Sequence, residues 1–123
     1  MIETLIIDDE IGILRSLEML LSKEGHKVTT ANTGELGLSL ATDGDFNVVF
    51  TDLRLPDISG LDIVLQVKKI HPATQIILIT GFASIETAVE SIKLGAYDYL
   101  TKPLSTDMVR ITVKRALEKA ALT

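Results

Sequence analysis

Short apolar runs alternate along this chain with longer segments in which apolar residues recur every three or four positions, and the alternation repeats five times. A short apolar run is typical of a strand, whereas the three-to-four spacing indicates a helix that buries one face. Strands that alternate with helices run parallel, because each helix returns the chain to the start of the next strand by a right-handed crossover. The sequence therefore predicts an α/β protein with a flavodoxin-like, doubly wound (βα)5 fold and a five-stranded parallel sheet.

The predicted strands differ in how apolar they are, and this difference predicts their order. Strands one, three and four are the most apolar, as expected of strands that are buried on both faces. Strand two alternates with β-branched and polar residues, which favours an edge position. Placing the apolar strands centrally gives the order 2-1-3-4-5. The predicted strands are residues 5–7, 27–31, 48–52, 75–80 and 97–101.

The predicted helices follow from capping residues and apolar stripes. Asn32 or Thr33 is expected to cap helix two, Ser84 helix four and Ser105 helix five, because their side-chain oxygens accept hydrogen bonds from first-turn amides. Helix three ends before Pro72, since proline disfavours helix in the preceding residue. Helix five is expected to reach the last residues. The residues expected to face the core are Ile13, Leu14, Leu17, Leu20, Leu21, Leu36, Leu40, Ala41, Ile63, Val64, Val67, Ile70, Ile85, Val89, Ile92, Val113, Ala116, Leu117 and Ala120.

Composition narrows the functional classes. The 123 residues suit a single domain, 1–123. A net charge of −5 has the wrong sign for phosphate contacts, so nucleic-acid binding by this segment is not expected. The absence of cysteine excludes disulfides and thiolate metal sites. No signal peptide or membrane-spanning run is present, which predicts a cytoplasmic protein with no membrane partner. His26 and His71 are expected at the surface without a catalytic or metal role.

Polar residues stand at the ends of four predicted strands. Asp8 and Asp9 follow strand one, Asp52 ends strand three, Thr80 ends strand four and Lys102 follows strand five. The carboxyl ends of parallel strands meet at one edge, where the crevices of open α/β sheets bind ligands and helix amino-termini point inward. These residues are therefore expected to form one site.

Three carboxylates in one crevice would raise one another's pKa unless a cation were present. Oxygen donors without histidine or cysteine favour a hard divalent ion, above all Mg²⁺. A carboxylate beside such an ion can attack a phosphoryl group, while Mg²⁺ and Lys102 neutralise the charge on the phosphoryl oxygens. Asp52 is therefore predicted to be the reactive residue of a magnesium-dependent phosphoryl transfer.

Each of these residues also has a structural explanation when it is taken alone. Asp9 fits a helix cap and Asp52 a turn former after a strand. Thr80 and Tyr99 fit ordinary strand positions, and Lys102 fits a solvated lysine. Only their convergence on one edge favours a functional site.

Five motifs occur in a fixed order along the chain. They are an acidic pair after strand one, an Asp that ends strand three, a Thr that ends strand four, an aromatic residue three before a lysine, and a Lys-Pro pair. Together they resemble the receiver domain of two-component response regulators over essentially the whole chain. The resemblance implies that Asp52 accepts a phosphoryl group from a phosphohistidine on a sensor histidine kinase or phosphotransfer protein. It also implies that the domain is not an enzyme in the usual sense, since it catalyses only its own phosphorylation and slow autodephosphorylation.

The same resemblance implies the metal site. Mg²⁺ is expected to contact Asp9, Asp52 and the backbone carbonyl of Arg54, with Asp8 helping through a water molecule.

The resemblance further implies a switch. Lys102 is expected to contact the phosphoryl group, Thr80 to swing towards it and Tyr99 to rotate with Thr80. The Lys102–Pro103 bond is expected to be cis, although sequence alone favours trans. Gly81 stands where many members of the family carry Ala, and is expected to loosen the loop before helix four.

Residues 81–89 and 95–104 most resemble receivers attached to AAA+ transcription activators. This implies that the chain is the amino-terminal part of a longer regulator. The face formed by helix four, strand five and helix five is expected to bind the output domain or a second copy of the chain.

A stand-alone phosphorelay receiver would share the same core, and a receiver-like scaffold that is never phosphorylated is a further alternative. An aspartyl-phosphate phosphatase of the haloacid dehalogenase type and a flavodoxin fit less well. The dehalogenase family places its second Asp two residues after the first and adds a cap domain, and flavodoxins have a Ser/Thr/Gly-rich phosphate loop.

Overall fold

Five strands alternate with five helices in the computed structural model, which describes residues 1–121. Neighbouring strands pair in parallel in the order β2-β1-β3-β4-β5, so the predicted fold class and strand order are confirmed. Among the described residues, no helix is both long and apolar enough to cross a bilayer. The predicted end of helix five includes residues 122–123, which lie outside the described part. The strands are β1 (Glu3–Ile7), β2 (Lys27–Ala31), β3 (Val48–Asp52), β4 (Gln75–Thr80) and β5 (Asp98–Thr101), and the helices are α1 (Ile11–Lys23), α2 (Gly34–Asp43), α3 (Gly60–Ile70), α4 (Ile85–Lys93) and α5 (Thr106–Ala121).

The three central strands bury side chains on both faces of the sheet. Leu5 and Val49 belong to a core that is shared with α2 and α3, while Ile6 and Phe50 belong to a second core that is shared with α1 and α5. Successive residues of a strand point to opposite faces, which is why one strand supplies both cores. Each such side chain contributes about 1.5–3 kcal/mol when it is fully buried. The carboxyl edge is therefore held by a tightly packed sheet.

The helix caps agree with the prediction. Thr33, Ser84 and Ser105 each accept a hydrogen bond from an amide in the first turn of the helix that follows. For α2 the structure selects Thr33 over Asn32 as the cap. The Lys102–Pro103 peptide bond is cis, as the family resemblance implied.

Several predictions about exposure were wrong. Leu36 and Ile70 were expected to face the core, but both are exposed. His26 and His71, which were expected at the surface, are half-buried, and each is hydrogen-bonded to a distant part of the chain. A sequence pattern shows that a helix has an apolar side, but it does not show how far the neighbouring elements cover that side.

The α4 helix departs most from the prediction. Ile85, Val89 and Ile92 were expected to face the core, but they are 85%, 47% and 49% exposed. The buried residue of α4 is Ser91 instead. The apolar stripe of this helix therefore lies on the surface of the domain and belongs to neither core.

Candidate phosphoryl-transfer and metal site

Three carboxylates converge at the carboxyl edge of the sheet. Asp8, Glu10 and Asp52 each place an oxygen within 4.8 Å of the others. Asp8 and Asp52 are buried, whereas Glu10 lies at the exposed rim. They come together because β1 and β3 are paired neighbours whose last matched residues are Ile7 and Thr51. The meeting of Asp8 and Asp52 was predicted from the sequence, but the part played by Glu10 was not, although its position two residues after Asp8 was an available signal.

The Lys102 ammonium lies at the centre of this cluster. Its Nζ is 2.9 Å from Asp8 Oδ2, 3.0 Å from Glu10 Oε1 and 3.0 Å from Asp52 Oδ2. The main-chain N–H of Lys102 donates to the Thr80 carbonyl at 2.8 Å, which ties its backbone to the end of β4. Burial lowers the pKa of Lys102, but the contacts with the carboxylates outweigh this and raise it above its ordinary value. Lys102 is therefore held as a cation.

Asp8 has an electrostatic environment that favours a second cation. Burial is the largest cause that raises its pKa, and repulsion from Asp52 adds to it, while the Glu10 amide and Lys102 act in the opposite direction. Asp8 is fully buried, and the contact of its Oδ2 with the Lys102 ammonium is shared with Glu10 and Asp52. One ammonium among three carboxylates leaves an excess of negative charge. This oxygen-only donor set, with its excess of negative charge, fits a hard divalent cation such as Mg²⁺.

Asp9 and the main chain of Arg54 are the remaining predicted metal ligands. Asp9 is exposed, and it does not belong to the group of three converging carboxylates. The main chain of Arg54 lies beside Asp52, because the Arg54 amide donates to Asp52 Oδ1 at 3.2 Å. The Arg54 guanidinium lies over the Phe82 ring, 4.3 Å from its centroid. The β3–α3 loop therefore borders the site on the side of α4.

The predicted switch residues make contacts with the start of α4. Thr80 is fully buried, and its hydroxyl accepts a hydrogen bond from the Phe82 amide at 3.0 Å. The Tyr99 hydroxyl lies 2.8 Å from Thr87 Oγ1 and accepts a hydrogen bond from the Ser84 amide at 3.4 Å. The contact made by Thr87 was not predicted from the sequence. Tyr99 thus belongs to the hydrogen-bond network that caps α4.

Gly81 links Thr80 to this loop and is not required by steric crowding. A Cβ built on Gly81 would lie more than 4 Å from every described atom beyond its two chain neighbours, and the Gly81 backbone does not have a positive φ. The position would therefore accept an alanine without a steric clash.

Replacing Lys102 by methionine is expected to tighten Mg²⁺ binding about tenfold, because a unit charge a few ångströms away contributes on the order of 1–4 kcal/mol near a protein surface. The variant is also expected to show a larger Mg²⁺-dependent rise in unfolding temperature than the wild type, since ligand binding stabilises the folded state. Isothermal titration and thermal unfolding would measure both effects. Lys114→Met, on the exposed side of α5, is the matched control. Weaker Mg²⁺ binding by Lys102→Met would show that the lysine does not oppose the cation.

Comparison with known proteins relates this geometry to one family. The family model described as "Response regulator receiver domain" matches residues 4–114. The transcriptional regulatory protein ZraR of Escherichia coli strain K12 is 36% identical over 116 residues, which cover 94% of this chain and 26% of ZraR. This chain thus spans about a quarter of the length of the curated relatives it matches.

Solved structures give the same result. The CheY-like receiver domain protein from Methanospirillum hungatei JF-1 superposes with a TM-score of 0.94 at 32% identity and covers 98% of this chain and 97% of its own. The beryllofluoride-activated NtrC4 receiver domain dimer superposes with a TM-score of 0.92 at 36% identity, with coverage of 98% and 99%.

Proposed function

Because this chain belongs to the response regulator receiver domain family, we propose that it is the phosphorylation-activated switch of a two-component system and that Asp52 is its phosphoryl acceptor. One observation carries the proposal: the buried carboxylate that ends β3 meets two further carboxylates and the Lys102 ammonium at the carboxyl edge. Asp52 is buried, with 5% of its surface exposed, and the exposed Glu10 marks the side of the cluster that faces solvent.

The residues that would hold Mg²⁺ are Asp9, Asp52 and the backbone carbonyl of Arg54, with Asp8 acting through water. Glu10 is an additional carboxylate at the same rim. When bound, Mg²⁺ would neutralise negative charge on the transferring phosphoryl group.

The chain's own residues perform the rest of the transfer. The donor is a phosphohistidine on a sensor histidine kinase or phosphotransfer protein. A carboxylate oxygen of Asp52 attacks phosphorus as the P–N bond breaks, and the imidazole leaves with its electron pair and takes up a proton. Lys102 already contacts Asp52 and is placed to bind a phosphoryl oxygen, while the Arg54 amide orients the carboxylate. Water later cleaves the acyl phosphate slowly, so the domain catalyses only its own phosphorylation and autodephosphorylation.

The switch begins at Thr80. A hydroxyl that accepts from the Phe82 amide can still donate its own proton, and an aspartyl phosphate offers oxygens that unmodified Asp52 lacks. Movement of Thr80 makes room for Tyr99 to turn inward. The Tyr99 hydroxyl is hydrogen-bonded to Thr87 in the first turn of α4, so that rotation would break this hydrogen bond. Phosphorylation would thereby alter the surface formed by α4, β5 and α5.

That surface is the proposed docking face for an output domain or for a second copy of the chain. Ile85, Val89 and Ile92 give it an exposed apolar stripe. ZraR is a transcriptional regulatory protein and the NtrC4 receiver was solved as a dimer. We therefore propose that residues 1–123 are the amino-terminal receiver of a longer, cytoplasmic transcriptional regulator of the AAA+ type. The net charge of −5 argues against direct nucleic-acid binding by this segment.

Incubation with acetyl phosphate tests the proposal. In the presence of Mg²⁺ we expect slow labelling with one phosphoryl group per chain, detected by intact mass, and no labelling after chelation. Rapid release of inorganic phosphate would identify an aspartyl-phosphate phosphatase instead. A chain that binds Mg²⁺ yet takes no label from acetyl phosphate or from a phosphorylated histidine donor would be a receiver-like scaffold. Sequential transfer from Asp52 to a histidine phosphotransfer protein would favour a stand-alone phosphorelay receiver.

A further inference from the structure

The loop between β3 and α3, residues 53–59, carries the main chain of Arg54 past Asp52 and is anchored at both ends. The Leu53 amide donates to the Ile79 carbonyl, and the Gly60 amide donates to the Leu53 carbonyl, each at 2.9 Å. Arg54 and Ser59 form an isolated antiparallel bridge across the loop. These contacts fix where the loop begins and ends, but they do not fix its tip.

The tip is held by Asp57, which binds the first turn of α2. Asp57 Oδ1 accepts from the Gly34 amide at 2.9 Å, and Oδ2 accepts from the Glu35 amide at 2.7 Å. The Ile58 amide also donates to Oδ1, at 3.0 Å, which orients the carboxylate from its own loop. Both oxygens of one side chain therefore join two elements that are more than twenty residues apart in sequence.

The same junction is closely packed. A Cβ on Gly34 would lie 2.5 Å from Ile58 Cγ1, 2.8 Å from Asp57 Oδ1 and 3.2 Å from Leu55 Cδ1. Only glycine allows the start of α2 to approach the loop this closely. The loop tip thus lies directly on α2, and the carboxylate of Asp57 faces the amino-terminus of the helix, where a negative charge is favoured.

The electrostatics of Asp57 agree with this geometry. The Glu35 amide is the largest cause that lowers the pKa of the Asp57 carboxyl, and the Gly34 and Ile58 amides lower it further. Hydrogen bonds to an ionised acceptor are shorter and stronger than neutral ones.

We propose that Asp57 is a positioning residue for the phosphorylation site: by fastening the loop tip to α2, it holds the main chain of Arg54 in place beside Asp52. The inference rests on the proposed function in one respect, since it takes the Arg54 carbonyl as a Mg²⁺ ligand. Its consequence is that α2, which contributes no side chain to the acidic cluster, helps to set the affinity for the cation. Asp57 acts through Arg54 and does not itself touch the reacting atoms.

The test compares two caps of the same helix. Asp57→Ala removes the link between loop and helix, whereas Thr33→Ala removes the local cap, in which the Leu36 amide donates to Thr33 Oγ1 at 3.2 Å. Mg²⁺ dissociation constants are measured by titration while following the amide resonance of Arg54, and hydrogen exchange of that amide is measured without Mg²⁺. We expect Asp57→Ala to bind Mg²⁺ about tenfold more weakly, the lower end of the effect of losing a ligand's supporting contact. Exchange of the Arg54 amide is expected to accelerate by a similar factor.

The control and a conservative variant make the outcome decisive. Thr33→Ala is expected to lower the unfolding temperature and to leave both the Mg²⁺ affinity and the exchange of the Arg54 amide unchanged. Asp57→Asn keeps an acceptor for Gly34 but loses the one for Glu35, so its affinity should fall between wild type and Asp57→Ala. Should Asp57→Ala fail to fold, Asp57→Asn supplies the same comparison.

Unchanged Mg²⁺ affinity in both Asp57 variants, or an equal loss in Thr33→Ala, overturns the inference. Labelling of the wild type by acetyl phosphate in the same samples separates this failure from that of the proposed function. A wild type that is labelled while the variants bind Mg²⁺ normally rejects the positioning role alone. Weakened Mg²⁺ binding in the variants of a chain that is never labelled supports the positioning role and rejects the proposed function alone.

Discussion

Replacing Asp52 by asparagine is expected to abolish covalent phosphorylation and to leave the fold intact. The change is nearly isosteric but removes the nucleophilic carboxylate oxygen. Repulsion from Asp52 is one of the causes that raise the pKa of Asp8, so the neutral side chain also relieves a like-charge contact in a buried cluster. The folded state should therefore tolerate the substitution, and the unfolding temperature should remain close to that of the wild type.

Intact mass after incubation with acetyl phosphate and Mg²⁺ is the measurement for Asp52→Asn. Asp62→Asn is a matched control, because Asp62 is an exposed carboxylate in the first turn of α3. The control should acquire label at the wild-type rate. Labelling of Asp52→Asn at that same rate would place the phosphoryl acceptor elsewhere and would contradict the proposed function.

Replacing Thr80 by alanine is expected to preserve phosphorylation at Asp52 and to remove most of the conformational response. A modification shifts an equilibrium only by its differential interaction with the two states. A hydrogen bond from Thr80 to a charged phosphoryl oxygen contributes roughly 1.5–3 kcal/mol. Moving the ratio of active to resting conformation from 1:99 to 99:1 takes about 5.5 kcal/mol, which is more than this one hydrogen bond contributes. The contact of Lys102 with the phosphoryl group must therefore supply part of the difference. Loss of the hydroxyl should therefore leave the phosphorylated domain mostly in its resting conformation.

The response of Thr80→Ala is measured as the change in amide chemical shifts on phosphorylation over residues 84–113. We expect a much smaller change than in the wild type, at equal labelling. Thr80→Ser is the matched control, because it retains the hydroxyl that accepts from the Phe82 amide and should retain most of the response. The mechanism is wrong if phosphorylated Thr80→Ala reproduces the full wild-type shift pattern.

Predictions that depended on regular periodicity succeeded. The alternation of apolar runs and helical stripes predicted five strands, five helices and the order β2-β1-β3-β4-β5. Burial on both faces leaves a visible mark in the sequence, because it removes polar residues from a whole run such as residues 75–80. The meeting of Asp8, Asp52 and Lys102 followed from the same reasoning, since the ends of parallel strands lie at one edge.

Predictions that depended on the direction of a single side chain could not be read from the sequence in the same way. Asp8 and Asp9 are adjacent carboxylates, yet Asp8 is buried and Asp9 is exposed. Consecutive side chains that leave a strand point in different directions, and the path of the following loop decides how deeply each of them is buried. Glu10 joined the cluster for the same reason, since that path returns its carboxylate to Lys102.

By itself, then, the sequence determined the topology and the edge at which the carboxylates and the lysine meet, because burial and strand direction repeat over many residues. Tertiary structure alone decided that the apolar stripe of α4 lies on the surface and that Asp57 caps α2 from the β3–α3 loop. Helical periodicity records that a face is apolar but does not record what covers it. A hydrogen bond between a loop and a helix more than twenty residues away leaves no local pattern, since it depends on how close the folded elements approach at Gly34.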